Sequence, residues 1–212
     1  MQRINRNERR YAERMQRADG TFKKGMRRWE SGPLTRFLTF SCYRREPLFE
    51  PDVRGHFAEL LAHCRITYRV GLLAWVVMPE HVHVILEPPR TQPPVMPALL
   101  RSLKQPVGQR CIATLRARGG SLARITTASG EARFWQEGGG FDRNVRSLDE
   151  LKREIAYIHT NPVERGLVEK PEDWEWSSAR WYKGMRGRPW GWGGLVPINQ
   201  SSVDWGLQAP RA

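Results

Sequence analysis

The chain has 212 residues, 40% of them hydrophobic and 27% charged, enough for one ordinary buried core and a tight fit for two domains. Its 35 Lys and Arg against 22 Asp and Glu give a net charge of +13, an excess that favours a polyanionic partner, nucleic acid before an anionic membrane surface. No apolar run reaches the roughly 18 residues of a membrane span, the first residues lack a secretory stretch, and Cys42, Cys64 and Cys111 are scattered without a Cys-x-x-Cys pair. That pattern excludes a disulfide frame or cysteine zinc site and implies reduced, buried thiols in a cytosolic protein.

Residues 1–32 hold ten Lys or Arg against four acids, a net +6, with few apolar side chains, so a basic, mobile or loosely helical arm is expected there. Ser31-Gly32-Pro33 punctuates its end, and residues 33–182 are expected to form the domain proper. Leu34 to Tyr43 reads as a first strand. Pro51-Asp52 opens a helix whose apolar face is Phe57, Leu60, Leu61, Cys64 and Ile66, running to about Val70. Leu72 to Met78 and His81 to Glu87 are two strands separated only by Pro79-Glu80, which predicts an antiparallel hairpin. Leu99, Leu100, Leu103, Val107, Cys111, Ile112 and Leu115 recur at helical spacing, with Pro106 expected to kink or divide that helix. Gly119-Gly120 to Gly130 reads as a loop. A fourth strand is expected to open at Phe134-Trp135-Gln136, break at Gly138-Gly139-Gly140 and resume from Phe141 to Val145. Ser147 with Glu150 is a capping-box signature, and Leu148, Leu151, Ile155 and Ile158 form the buried stripe of a last long helix. The order predicts an α+β fold, a ferredoxin-like βαββαβ sandwich with an antiparallel sheet and helices on one face, plus an added C-terminal helix. Six of the nine tryptophans lie from Trp174 onward without a regular period, so residues 183–212 are expected to be an irregular Trp/Gly-rich tail.

Chemistry concentrates in two places. On a strand, His81 and His83 point to one face while Val82, Val84 and Leu86 point to the other, so two imidazoles stand side by side as half of a metal site. On the last long helix Tyr157 lies about 200° from Ile155 and about 100° from Ile158, off the buried stripe, and Asn161 stands one turn further on the same face. Pro162 is expected to end the helix at Asn161. Each feature has a plainer reading: a histidine pair is often structural, a lone tyrosine is often packing, Glu154 reads first as a solvated acid, His159 as structural or exposed, and His56 and His63 as ordinary helix residues.

Together the blocks resemble a known family. Pro79-Glu80-His81-Val82-His83 and the run Tyr157-Ile158-His159-Thr160-Asn161-Pro162-Val163-Glu164-Arg165-Gly166-Leu167-Val168 resemble the single-tyrosine transposases of the HUH superfamily, above all the REP-associated tyrosine transposases. Phe37-Leu38-Thr39-Phe40-Ser41-Cys42-Tyr43, Phe134-Trp135-Gln136 and Trp174-Glu175-Trp176-Ser177-Ser178-Ala179 resemble the same branch, so the likeness covers about residues 34 to 182. Insertion-sequence relatives carry Gln where this chain has Asn161; Asn is usual in the REP-associated branch.

The resemblance implies a metal-dependent enzyme that nicks and rejoins single-stranded DNA at palindromic hairpins. His81, His83 and Asn161 would hold a divalent metal, Mg2+ or Mn2+, on the scissile phosphate, and Tyr157 would attack in line to give a 5′-phosphotyrosine and a free 3′-hydroxyl. Free tyrosine titrates near 10, so cationic surroundings would favour its reactive anion (about 10). The covalent link conserves the phosphodiester, so no nucleotide triphosphate is needed. The resemblance also implies a bacterial, cytoplasmic, nucleoid-associated protein, with a monomer favoured over a dimer that exchanges its tyrosine helix. Arg36, Arg44, Arg45, Arg101, Lys104 and Arg110 are candidate phosphate contacts, and tail Trp and Arg residues candidate stacking partners for unpaired bases. Two competitors stay open: a non-catalytic, RRM-like single-stranded nucleic-acid-binding module with bases stacked on an open sheet, and a metallophosphoesterase, which would need more carboxylates than this sequence pattern offers.

Overall fold

The computed structural model describes residues 34–91, 93–137 and 140–185. The expected basic arm, residues 1–32, and all but the first three residues of the expected tail lie outside the described residues, as do Gly138 and Gly139. The chain folds as β1 (Arg36–Ser41), α1 (Pro51–Thr67), β2 (Gly71–Val77), β3 (His81–Glu87), α2 (Met96–Ala117), β4 (Phe141–Asn144), α3 (Leu148–Glu164) and the short α4 (Ala179–Tyr182). The strands form one four-stranded sheet in the order β2-β3-β1-β4 with every pairing antiparallel.

Period-two alternation divides the sheet into two dissimilar faces. Leu38 and Phe40 of β1 and Val82, Val84 and Leu86 of β3 belong to a large core shared with Phe57 and Leu61 of α1 and Leu99, Leu103 and Val107 of α2. Phe37 and Ile85 face the other way and pack with Leu151, Ile155 and Ile158 of α3. A bulge between Leu72 and Ala74 turns Leu73 as well as Ala74 toward α3, widening the apolar seat of that helix. Thus α1 and α2 cover one face, and α3 is the addition that covers the opposite one.

Three expectations need correction. Phe134-Trp135-Gln136 does not form a strand of its own; Trp135 makes a single bridge to Cys42 and the Gln136 amide donates to Ser41 O, prolonging the β1 edge beyond the short β4. Gly140 (φ +75°) starts β4 so close to β1 that a Cβ there would sit 2.2 Å from Thr39 O, and only glycine lets the strand close. α2 is one continuous helix through Pro106. α3 likewise passes Asn161 and Pro162 and ends at Glu164. Pro162 is buried, and its missing amide leaves the Ile158 carbonyl without an i+4 donor but does not end the helix. Gly166 (φ +66°) then closes a Schellman turn, its own amide donating to Val163 O and the Leu167 amide to Pro162 O. At the other end Ser147 Oγ accepts from the Glu150 amide, as expected, while the Glu150 carboxylate reaches back to the Arg146 amide.

The stretch after Trp174, expected to be irregular, runs along the outer edge of β2. The Val77 amide donates to Trp176 O and the Ser178 amide to Trp75 O. His159 of α3 bonds Ser178 Oγ at 2.8 Å, and Tyr182 donates to Leu73 O, so this segment both covers the sheet edge and fastens α3. Burial holds His159 down at about 4, consistent with a neutral structural ring.

Candidate active site and nucleic-acid interface

β1 and β3 pair with Thr39 opposite His83 and Ser41 opposite His81, so the histidines lie on the α3 face, beyond its apolar end. Both imidazoles are buried, with Nε2 of His81 and Nε2 of His83 3.0 Å apart. Their other nitrogens are held from behind. His81 Nδ1 donates to Glu80 Oε1 at 3.0 Å, and His83 Nδ1 lies 2.7 Å from Thr39 Oγ1. The threonine hydroxyl accepts or donates as the ring requires, so His83 can carry its proton on either nitrogen. Burial, with the charges of His81 and Arg45 added, pushes His83 well below the ordinary histidine range and keeps it neutral.

α3 brings the remaining members. The Tyr157 hydroxyl stands 3.5 Å from His83 Nε2, at the limit of hydrogen bonding, with its ring against His83 and Phe37. Four residues on, Asn161 is 1% exposed, and its Oδ1 has no hydrogen-bond partner among the described residues. Four residues further, Arg165 Nη1 donates to Glu80 Oε1 at 2.6 Å. Tyr157, Asn161 and Arg165 therefore form one i, i+4 row whose two ends both touch the histidine segment, and Asn161 lies between them. Burial opposes ionisation of Glu80, but the hydrogen bond and charge of His81 and the Arg165 guanidinium hold it down at about 2.

These residues fit a divalent ion. Two ligands at about 2.1 Å on adjacent octahedral vertices lie about 3.0 Å apart, the spacing seen between the two Nε2 atoms. An orphaned buried amide oxygen costs free energy unless something binds it, and neutral nitrogen and oxygen donors suit such a cation. No group of three or more His, Cys, Asp or Glu assembles among the described residues.

A REP-associated tyrosine transposase of Escherichia coli (strain K12) is 28% identical over 105 residues, 50% of this chain and 52% of that protein. The structure of a REP-associated tyrosine transposase bound to a REP hairpin superposes with a TM-score of 0.57 at 23% identity, covering 84% of this chain and 95% of that one. Over that half of its length the chain is similar to the REP-associated tyrosine transposases, and its fold is similar to that of the hairpin-bound one. It spans about half the length of the curated relative it matches. A putative transposase from Deinococcus radiodurans aligns more distantly, with a TM-score of 0.41 at 18% identity over 63% of this chain and 93% of that one. No family model matches.

The basic residues of this chain separate into classes that composition does not reveal. Arg36 is not a surface residue; it is 5% exposed and paired with Asp142 at 3.2 Å, because its place in β1 turns it into the sheet. Lys104 is half-buried, its ammonium over the Phe40 and Trp135 rings. Arg44, Arg45, Arg101 and Arg110 are exposed. Arg44 and Arg45 adopt φ of 54° and 56°, a strained pair steadied by Gln136, whose Oε1 accepts from the Arg44 amide. Glu154 is not a solvated acid: it pairs with Arg143, which also holds Glu150 and lies over the Phe37 ring. No helix of the described residues is long and apolar enough to cross a membrane.

Thr39, Glu80 and Arg165 were not among the sequence-derived site residues. Glu80 had a signal, its place beside His81, whereas Thr39 follows only from the strand register and Arg165 only from where α3 ends.

Proposed function

We propose that this protein is a metal-dependent strand transferase that nicks and rejoins single-stranded DNA beside palindromic hairpins through a 5′-phosphotyrosine. The carrying observation is the cluster built within one chain: the Tyr157 hydroxyl 3.5 Å from His83 Nε2, and that atom 3.0 Å from His81 Nε2. The likeness to a curated REP-associated tyrosine transposase and to one solved with a REP hairpin supports the substrate class. The net charge of +13 supports a polyanionic one.

In this reading His81, His83 and Asn161 hold Mg2+ or Mn2+, which when bound neutralises charge on the scissile phosphate. Tyr157 attacks phosphorus, the Tyr–O–P bond forms as the bond to the 3′-oxygen breaks, and the hydroxyl proton passes to solvent. Reversal onto another 3′-hydroxyl releases the tyrosine and restores a phosphodiester, so no triphosphate is consumed. Arg44 and Arg45, exposed beyond the end of β1, and Arg101 and Arg110 on α2 would grip backbone phosphates. The sheet order β2-β3-β1-β4 supports a ferredoxin-like core with the tyrosine helix added on its second face. Tyr157 and both histidines meet within one chain, which supports a monomer. Base-stacking modules use an open sheet face; here Phe37 and Ile85 are buried under α3.

The test is incubation with a hairpin oligonucleotide and Mn2+, followed by denaturing gel electrophoresis. An SDS-resistant protein–DNA adduct is expected, lost in Tyr157→Phe while hairpin affinity stays within about twofold. Cleavage by the phenylalanine variant overturns the assignment.

A further inference from the structure

We propose that Glu80 and Arg165 form a positioning couple that sets the tautomer of His81 and pins the end of the tyrosine helix to the histidine strand. This deepens the reading above and rests on it for its catalytic meaning, but its geometry is independent of metal and DNA.

A carboxylate only accepts hydrogen bonds, so the 3.0 Å contact with Glu80 places the His81 proton on Nδ1 and leaves the Nε2 lone pair facing His83. A carboxylate behind an imidazole also fixes the plane of the ring, as in the histidine ligands of metal sites generally. His83 has a neutral hydroxyl in the same position, so the two rings are unequal: His81 has its donor atom fixed in advance, and His83 adapts.

The carboxylate is buried, its side chain 8% exposed, and would be costly there without a counter-charge. Arg165 supplies it from the cap position at the end of α3, where a cation also complements the exposed carbonyls of the helix terminus. The same oxygen, Glu80 Oε1, accepts from both His81 and Arg165, so the ion pair joins the segment entering β3 to the end of the helix that carries Tyr157 and Asn161. Arg165 acts here through Glu80 and through the placement of α3.

Three measurements test the couple. In metal-free wild type, long-range proton–nitrogen NMR should show His81 protonated on Nδ1, and Glu80→Ala should give a mixture of tautomers. Mn2+ titration read by electron paramagnetic resonance should then give affinity about 10- to 100-fold weaker in Glu80→Ala. Glu80→Gln, which keeps an acceptor, should lose less. Arg165→Met should weaken Mn2+ binding less than Glu80→Ala, yet slow adduct formation at saturating Mn2+. Combining Arg165→Met with Glu80→Ala should weaken Mn2+ no further than Glu80→Ala alone. A His81 proton on Nε2 in wild type overturns the proposal, as does Mn2+ affinity within twofold of wild type in a folded Glu80→Ala. Wild type with the Nδ1 tautomer but neither Mn2+ binding nor adduct overturns the strand-transfer reading and leaves the couple standing as a structural device.

Discussion

The two faces of the sheet are made by the same strands and serve different ends. Under α1 and α2 the alternate residues Leu38, Phe40, Val82, Val84 and Leu86 form a dry core. Under α3 the face changes along its length. It is apolar where Phe37 and Ile85 meet Leu151 and Ile155, and polar where His83, His81 and Asn161 are buried and Thr39 is half-buried behind His83. A buried polar cluster costs stability unless each group finds a partner, and here each does except Asn161 Oδ1. The apolar end of α3 thus anchors a helix whose other end serves chemistry, while the opposite face holds the sheet in shape. Substitutions on the two faces should therefore separate stability from activity.

The sharpest break is His83→Ala, which removes the ring between Tyr157 and His81; adduct formation should fall below detection while circular dichroism shows a folded protein. A folded variant with wild-type adduct yield would show that the polar end is structural. Next comes Phe57→Ala on the other face, where a fully buried ring packs against Phe40 and Phe49. It should cost about 3–5 kcal/mol in denaturant unfolding, with adduct yield per folded molecule unchanged. Ile158→Ala tests the join between the two functions: a loss of about 2–4 kcal/mol should come with slower adduct formation even where the protein is fully folded, because α3 loses an anchor one residue from Tyr157. Ser178→Ala removes the hydroxyl shared by His159 and the β2 edge and should cost about 1–2 kcal/mol, with a small effect on activity. The smallest effect concerns Cys42 and Cys111, whose thiols burial pushes up, Cys111 to about 12. Neither should react with iodoacetamide at neutral pH until the protein unfolds, and fast labelling of the native state would show that the dry core opens.

Much of this was legible in the chain because it is local. Alternation on β3 separates His81 and His83 from Val82 and Val84, and the i, i+4 spacing puts Asn161 beside Tyr157, whatever else the molecule does. The motif resemblance covered the same residues. Less was legible for charge. Arg36 looked like one more basic residue at a strand end, and only its pairing with Asp142 across β1 and β4 shows it to be interior. Pro162 looked like a stop, and only its burial and the turn at Gly166 show how the helix passes it. Glu154 is drawn from solvent by Arg143, a residue on a different element.

By itself, then, the sequence determined the long helices, the central strands, their order and which side chains each presents on one face, because those follow from backbone periodicity over a few residues. The tertiary structure alone decided that α3 lies over the histidine face, that Thr39 stands behind His83 and that Arg165 reaches Glu80. Those contacts join residues 44 and 85 positions apart in the chain, and only strand register and helix packing bring such residues together.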